Sequence, residues 1–134
     1  MNLFVDTSVW SLALRRDGDE GAPTVVRLRE AIASQEALFT TGLVLQELLQ
    51  GFQGPKARKD IVARFAALPL IAPDREDHIA AASLRNGCRR RGVQLGTIDA
   101  LLAQICVRHR LVMLSADDDF KHAAKHVALK VWSA

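Results

Sequence analysis

The sequence predicts an α/β domain built around a central parallel sheet. Short apolar runs, of the length that forms buried strands, alternate along the chain with segments whose apolar residues recur at helical spacing. Strands separated by helices are joined by right-handed crossovers and lie parallel in one sheet. The 134 residues are the size of one domain, so we expect a single unit over residues 1–134. An apolar content of 49% is enough to form its core without disulfides or a structural metal.

Five short apolar runs are the predicted strands. They are Leu3–Val5, Ala37–Thr41, Leu70–Ala72, Leu111–Leu114 and Ala128–Trp132. Parallel sheets are covered on both faces, and their ligands bind beyond the carboxyl ends of the strands. The residues of most interest are therefore the polar ones that follow these runs.

Helical periodicity and helix-start residues predict seven helices between and after the strands. The helix after Thr97 has apolar residues at i, i+3, i+4, i+7 and i+8. A Gly/Asp loop is expected at Asp17–Gly21. In chain order, the first three helices are Ser8–Arg16, one capped by Thr24 and one that begins at Thr41 and Gly42. The next two are a helix from Pro55 to about Leu68 and a helix that is capped by Asp74 and ends at Arg89–Arg91. The last two are a helix capped by Thr97 and a short helix around Lys121–Lys125.

Composition and charge exclude several classes of protein. No apolar run approaches the roughly 18 residues that a membrane span needs, and no basic segment precedes Leu3–Val5 as in a secretory signal. The two cysteines, Cys88 and Cys106, have no paired or metal-binding spacing, which is typical of reduced thiols in a cytoplasmic protein. The net charge is +3, so carboxylates gathered in one site would leave a more basic surface around it, suited to a polyanion. An ordinary solvated surface with more basic than acidic residues, and no bound polyanion, explains the same net charge.

Four acidic positions fall near strand ends or helix starts. Asp6 directly follows the first strand, and Asp117 follows the fourth strand in a run of three aspartates. Glu47 lies in the helix after the second strand, and Asp99 lies in the first turn of the helix before the fourth. We therefore expect these carboxylates at one edge of the sheet, where their hard oxygen donors suit Mg²⁺ or Mn²⁺. Taken singly, each has a simpler explanation as a helix cap, a helix-start acid, a solvated helix residue or an acidic turn.

Four motifs in the chain resemble those of PIN-domain nucleases, particularly the VapC-like toxins of type II toxin–antitoxin systems. They occur in the family's order and extend from Asn2 to Phe120. Each motif alone is loose, whereas the four in order are specific. The motifs are Val5-Asp6-Thr7-Ser8-Val9-Trp10, Val44-Leu45-Gln46-Glu47-Leu48-Leu49-Gln50-Gly51, Thr97-Ile98-Asp99-Ala100-Leu101-Leu102-Ala103 and Leu114-Ser115-Ala116-Asp117-Asp118-Asp119-Phe120.

The resemblance implies a three-layer α/β/α sandwich whose parallel sheet has the strand order 3-2-1-4-5. It also implies an endoribonuclease that uses one or two Mg²⁺ or Mn²⁺ ions and leaves a 5′-phosphate and a 3′-hydroxyl. Asp119 is then an additional or alternative ligand, and Thr7 and Ser115 are supporting hydroxyls. By motif, the catalytic and metal-binding acids are Asp6, Glu47, Asp99 and Asp117.

The resemblance also implies partners. VapC-like toxins are usually homodimers, and each is neutralised by a cognate antitoxin whose C-terminal segment lies along the active-site groove, often with an arginine at the acids. RNA is the expected substrate. The charge pattern gives candidate RNA contacts near one helix end at Arg85, Arg89, Arg90 and Arg91. Cations at a helix C-terminus are also explained by the helix dipole.

Other functions are compatible with the sequence. One is RNA processing by a PIN-domain nuclease with no toxin role, and another is an interaction module that binds Mg²⁺ without catalysis. A third is a metal-independent nuclease that uses histidines, of which His122 and His126 are four residues apart. A receiver-like domain would need paired acids after the first strand, but Asp6 is followed by Thr7 and Ser8.

Overall fold

The computed structural model describes residues 1–15 and 20–134, and in that part of the chain it contains seven helices and four strands. The predicted loop Asp17–Gly21 and the predicted helix end at Arg16 fall mostly on residues 16–19, outside the described residues. In chain order, the elements are β1 Leu3–Val5, α1 Thr7–Leu14, α2 Pro23–Ala33, β2 Leu38–Phe39, α3 Gly42–Gly51, α4 Pro55–Phe65, α5 Arg75–Arg90, α6 Thr97–His109, β3 Val112–Leu114, α7 Asp118–Ala123 and β4 Lys130–Val131.

The four strands of the described residues form one parallel sheet in the order β2-β1-β3-β4. Phe4 lies opposite Phe39 on one side and Met113 on the other, so β1 is a central strand. All three residues of β1, Leu3, Phe4 and Val5, are 0% exposed. Because successive side chains of a strand point to opposite faces, both faces of the sheet are covered, as a parallel sheet requires.

The predicted strand order is confirmed, but one predicted strand does not form. Leu70–Ala72 makes only an isolated parallel bridge to Thr40, at the outer side of β2. The Thr40 N–H donates to the Pro69 carbonyl at 3.2 Å, and the Ile71 N–H donates to the Thr40 carbonyl at 2.8 Å. Pro69 and Pro73 flank the run and have no N–H to donate, which limits pairing at this edge to the single bridge.

The predicted cap at Asp74 is confirmed, and Thr41, at a predicted helix start, also proves to be a cap. The Thr41 side chain caps α3 by accepting the Val44 N–H at 3.3 Å. Asp74 and Asp77 form a reciprocal capping box at the start of α5. In such a box each side chain accepts a backbone N–H that the helix cannot satisfy internally. The two starts are therefore set by local sequence.

Two other predicted caps are wrong. The second helix, α2, begins at Pro23 with Ala22 as its N-cap residue, so Thr24 lies inside the helix. Proline favours the first helical position because its φ angle is already helical and its missing N–H is not needed there. Thr97 is the first residue of α6 rather than its cap, and the N-cap residue is Gly96.

The helices pack in two groups around the sheet. α1 contacts α2 and α3, α3 also contacts α4, and α5 packs along α6, which contacts β3. Both cysteines are buried and free, and burial together with the nearby charge of Asp6 raises the pKa of the Cys106 thiol, which therefore stays protonated. Within the described ranges, no helix combines the length and the apolar character needed to cross a membrane.

Candidate active site

The carboxyl ends of β1 and β3 bring Asp6 and Ser115 together. Val5 and Leu114, the last residues of the two strands, are paired in the sheet. The Asp6 N–H donates to the Leu114 carbonyl at 2.9 Å, which extends the ladder by one residue. Ser115 Oγ donates to Asp6 Oδ2 at 2.9 Å. This is the edge of the sheet at which ligands of parallel α/β folds bind.

Asp6 is held by two hydroxyl groups. Its side chain, in a residue only 6% exposed, accepts a hydrogen bond from Ser8 Oγ at 2.7 Å as well as the one from Ser115. Ser8 Oγ accepts the Ala116 N–H and Ser115 Oγ accepts the Asp117 N–H, both at 3.0 Å. The network therefore ties Asp6 to the loop that carries Asp117.

Two points about this network were not evident from the sequence. Asp6 is the N-cap residue of α1, yet its side chain makes no capping hydrogen bond, so capping does not explain why an acid lies here. Ser8 is not among the predicted supporting hydroxyls, although it donates the shorter of the two bonds to Asp6. Its place two residues after Asp6 is the only sequence signal that points to it.

Glu47 reaches the same edge from α3. Thr7 Oγ1 donates to Glu47 Oε1 at 3.2 Å, and Thr7 is the residue directly after Asp6. Val44 and Leu48, one turn apart on α3, are buried in the core, while Glu47 is partly buried on the flank of that stripe. The packing of α3 and the bond to Thr7 together fix Glu47 beside the end of β1.

Asp99 experiences the charges of the other acids. It is the third residue of α6 and is partly buried. Burial, and then the charges of four other carboxylates, raise the pKa of Asp99 from an ordinary 3.8 to about 6. The ionised form of such a group is stabilised by a cation. In decreasing order of effect, the four carboxylates are those of Asp6, Asp117, Glu47 and Asp119.

Asp117 and Asp119 both belong to this group but differ in their other contacts. Asp117 caps α7, and its Oδ1 accepts the Asp119 N–H at 2.9 Å. The helix therefore begins at Asp118 and not near Lys121 as predicted, because an aspartate at the N-cap satisfies a free N–H of the first turn. Which of Asp117 and Asp119 serves as the fourth ligand stays a prediction.

The donor set suits a hard divalent cation. All five acids offer carboxylate oxygens, the donors that Mg²⁺ and Mn²⁺ prefer. In residues 1–15 and 20–134, no three His, Cys, Asp or Glu side chains are gathered closely enough to hold a metal ion by themselves. Like-charged carboxylates keep apart, and Mg²⁺ commonly takes one or two carboxylates together with waters and substrate phosphates. The acids thus form a region of strong negative potential rather than a preformed cage.

The four predicted RNA contacts on α5 do not have equivalent surroundings. Arg85 is partly buried, and its Nε donates to the Leu95 carbonyl at 2.8 Å. Arg89 and Arg90 are exposed in the last turn of α5, and Arg91 is its exposed C-cap residue. Position at a helix C-terminus favours a cation by itself. RNA contact by these residues therefore stays a prediction.

The chain matches the family model of the PIN domain over residues 3–126. This chain is a PIN domain. The match confirms the predicted family and, with the sheet described above, the predicted α/β fold. The prediction of one unit over residues 1–134 stays a prediction.

Solved structures with the same fold cover nearly the whole PIN domain. VapBC2 from Rickettsia felis, bound to a DNA fragment from its promoter, is 17% identical, with 98% of each chain covered and a TM-score of 0.74. VapC20 from Mycobacterium tuberculosis, a sarcin-ricin loop cleaving toxin, is 21% identical over 95% of this chain and 98% of that one, with a TM-score of 0.71. FitAcB from Neisseria gonorrhoeae is 20% identical over 98% and 96% of the two chains, with a TM-score of 0.70.

Proposed function

We propose that this PIN domain is a metal-dependent endoribonuclease and the toxin of a toxin–antitoxin pair. The observation that best supports the proposal is the gathering of acids at one edge of the sheet. Asp6 is bonded to Ser115 at the end of β3, Glu47 is bonded to Thr7 directly after Asp6, and the charges of four other carboxylates raise the pKa of Asp99. Gathering ionised acids costs stability unless a cation offsets their repulsion, so the arrangement suits metal-dependent chemistry. The likeness to VapC20, a toxin that cleaves the sarcin-ricin loop, supports RNA as the substrate.

In this proposal the metal-binding and catalytic residues are Asp6, Glu47, Asp99 and Asp117, with Asp119 in addition to Asp117 or in its place. They would hold one or two ions of Mg²⁺ or Mn²⁺. When bound, the metal makes hydroxide available near neutral pH and offsets charge on the scissile phosphate. The expected products carry a 5′-phosphate and a 3′-hydroxyl.

The surrounding hydroxyl groups orient two of the acids, Asp6 and Glu47. Both hydroxyl bonds to Asp6 end on Oδ2, and Oδ1, which accepts no hydrogen bond from residues 1–15 and 20–134, is available to a cation. The Thr7 bond ends on Oε1 of Glu47, and Oε2 accepts no hydrogen bond within the part of the chain that the structure describes. Ser8, Ser115 and Thr7 therefore fix the orientation of the carboxylates that they contact.

The toxin role requires a neutralising partner. VapBC2 of Rickettsia felis is a complex of this type bound to promoter DNA. We propose that a cognate antitoxin covers the acids here with a basic side chain, because an arginine there would offset the charges around Asp99. A homodimer is the expected form of the free toxin. The buried, free cysteines are compatible with a reducing compartment, and the cytoplasm is the proposed location.

Induced expression in a bacterium tests the function without a guess at the RNA target. Wild type is compared with Asp99→Asn and with Asp60→Asn, which makes the same chemical change at an exposed position of α4. We expect growth arrest with a few discrete new 5′-phosphate ends for wild type and Asp60→Asn, and neither effect for Asp99→Asn. Equal arrest by Asp99→Asn would favour a silent interaction module. New ends without arrest would favour RNA processing.

A further inference from the structure

A small polar notch lies between the second half of α5 and the segment that leads into α6. Its volume is about 180 Å³, and it is lined by Arg85, Arg89, Gln94 and Leu95. Two guanidinium groups and one amide are donors that match a phosphate group. The sequence suggested the two arginines as RNA contacts, but Gln94 and the notch itself are evident only in the structure.

Arg85 is oriented by a hydrogen bond within the protein. Its Nε donates to the Leu95 carbonyl at 2.8 Å, and the residue is partly buried. The bond uses one of the five N–H donors of the guanidinium group and leaves the four terminal ones available. Because the planar group is fixed by this bond, little further conformational entropy is lost when an anion binds.

The charges of the notch are not neutralised within the described residues. Neither Arg85 nor Arg89 forms an ion pair with any carboxylate of residues 1–15 and 20–134. The two arginines are four residues apart on α5, a spacing at which like charges repel. The sequence also contains no acid between Asp77 and Asp99. An anion in the notch would offset this repulsion.

The notch lies close to the proposed active site along the chain. Leu95 forms its floor and is followed by Gly96, the N-cap residue of α6. A Cβ atom at Gly96 would lie 3.8 Å from Oδ2 of Asp99, so the Asp99 carboxylate folds back toward this segment. The short segment Leu95–Gly96 therefore connects the notch to Asp99.

We propose that the notch binds a backbone phosphate of RNA next to the scissile phosphate. The inference rests on the proposed nuclease function and places the RNA substrate on the surface of the protein beside the active site. Arg85, which is partly buried and oriented by its bond to Leu95, fixes the phosphate, and the exposed Arg89 and Gln94 contact it from the solvent side. The exposed Arg90 and Arg91 follow along the same helix end, which favours a polymer over a free anion.

Binding of a fluorescein-labelled oligouridylate, followed by fluorescence anisotropy in EDTA over a series of KCl concentrations, tests this inference. EDTA prevents cleavage, and the repulsion from the acids is the same in every variant. The variants are Arg89→Ala, Gln94→Ala, which keeps the net charge, and the control Arg29→Ala, which removes an exposed cation of α2. We expect Arg89→Ala to weaken binding about tenfold. The slope of log affinity against log salt should also fall by about 0.7, the value for one lost phosphate contact.

The remaining outcomes distinguish the alternatives. We expect Gln94→Ala to weaken binding about threefold with an unchanged salt slope, since it removes a neutral donor. Arg29→Ala should match wild type. Equal losses for Arg89→Ala and Arg29→Ala would mean that only net charge matters, and the inference would be wrong. The inference would also be wrong if inorganic phosphate raised the melting temperature of wild type while Arg89→Ala left the affinity for RNA unchanged, since the notch would then bind a free anion and not RNA. Failure of wild type to cleave RNA in Mn²⁺, with the variant effects intact, would instead refute the proposed function.

Discussion

Replacing Asp99 with asparagine should stabilise the metal-free protein at neutral pH. The change removes a carboxyl whose pKa is raised from 3.8 to about 6 by burial and by four neighbouring carboxylates. A shift of that size corresponds to at most roughly 3 kcal/mol of unfavourable free energy when Asp99 is ionised. Asp99 is partly exposed, so solvent screening reduces this value to about 1–2 kcal/mol.

The pH dependence follows from the sign of the shift. A carboxyl with a raised pKa holds its proton more tightly in the folded state, so folding is penalised only where the group is ionised. The advantage of Asp99→Asn should therefore be complete above about pH 7 and should shrink toward zero as the pH falls to about 4. In a thermal melt in EDTA, the variant should unfold about 4–8 °C higher than wild type near pH 8.

A control variant and a second melt with added Mn²⁺ make this prediction specific to the acidic site. Asp60→Asn makes the same change at an exposed residue of α4 and should alter stability by less than about 0.5 kcal/mol. Added Mn²⁺ should raise the melting temperature of wild type and reduce or reverse the advantage of Asp99→Asn, because a ligand of the folded state stabilises it by mass action. An Asp99→Asn protein that is less stable than wild type at pH 8 would refute the electrostatic reasoning.

Three further outcomes are expected. Ser115→Ala removes a hydroxyl donor to the buried Asp6 and should cost about 1–2 kcal/mol in urea unfolding, whereas Ser83→Ala on the exposed side of α5 should be neutral. Asp77→Ala removes the capping box and the bond from Arg108, and it should lower the free energy of unfolding by about 1–3 kcal/mol at pH 7. The control Glu76→Ala removes a neighbouring acid that is not part of the capping box. Burial tends to raise the pKa of Asp77, but bonds from Asp74 and Arg108 outweigh it and lower the pKa, so this cost should fade in acid. Finally, EDTA should abolish RNA cleavage and Mn²⁺ should restore it, whereas activity retained in EDTA would favour a histidine-based nuclease.

The sequence predicts the parts of the fold that depend on local patterns. The buried strand Leu3–Val5, the helix start at Thr41 and Gly42 and the cap at Asp74 follow from short-range signals, whereas the order of the strands was implied only by the resemblance to the family. The run Leu70–Ala72 does not form a strand, because whether an apolar run pairs depends on the neighbour that tertiary structure supplies and on the flanking prolines. The start of α7 at Asp118 could not be predicted from the sequence, because the same aspartates suggest both a helix cap and a metal site.

The candidate site divides in a similar way. Asp6, Asp99 and Asp117 could be picked out because each lies beside a strand end or a helix start, and topology then brings such positions together. Glu47 lies in the middle of α3 and could be picked out only from its motif. The role of Ser8 depends on a bond to Asp6 and another from Ala116, which sequence spacing does not report. The same is true of Arg85, whose bond to the Leu95 carbonyl joins two segments ten residues apart.

Direct measurement of Mn²⁺ binding by electron paramagnetic resonance tests the central claim, that Asp99 and the other acids at this edge of the sheet form one site for a divalent cation. Wild type and Asp60→Asn should bind Mn²⁺ equally, and Asp99→Asn should bind it at least about tenfold more weakly, as expected when a carboxylate ligand is removed. Added Mg²⁺ should displace the Mn²⁺. Equal binding by wild type and Asp99→Asn, or no binding by wild type in the presence of RNA, would contradict the claim.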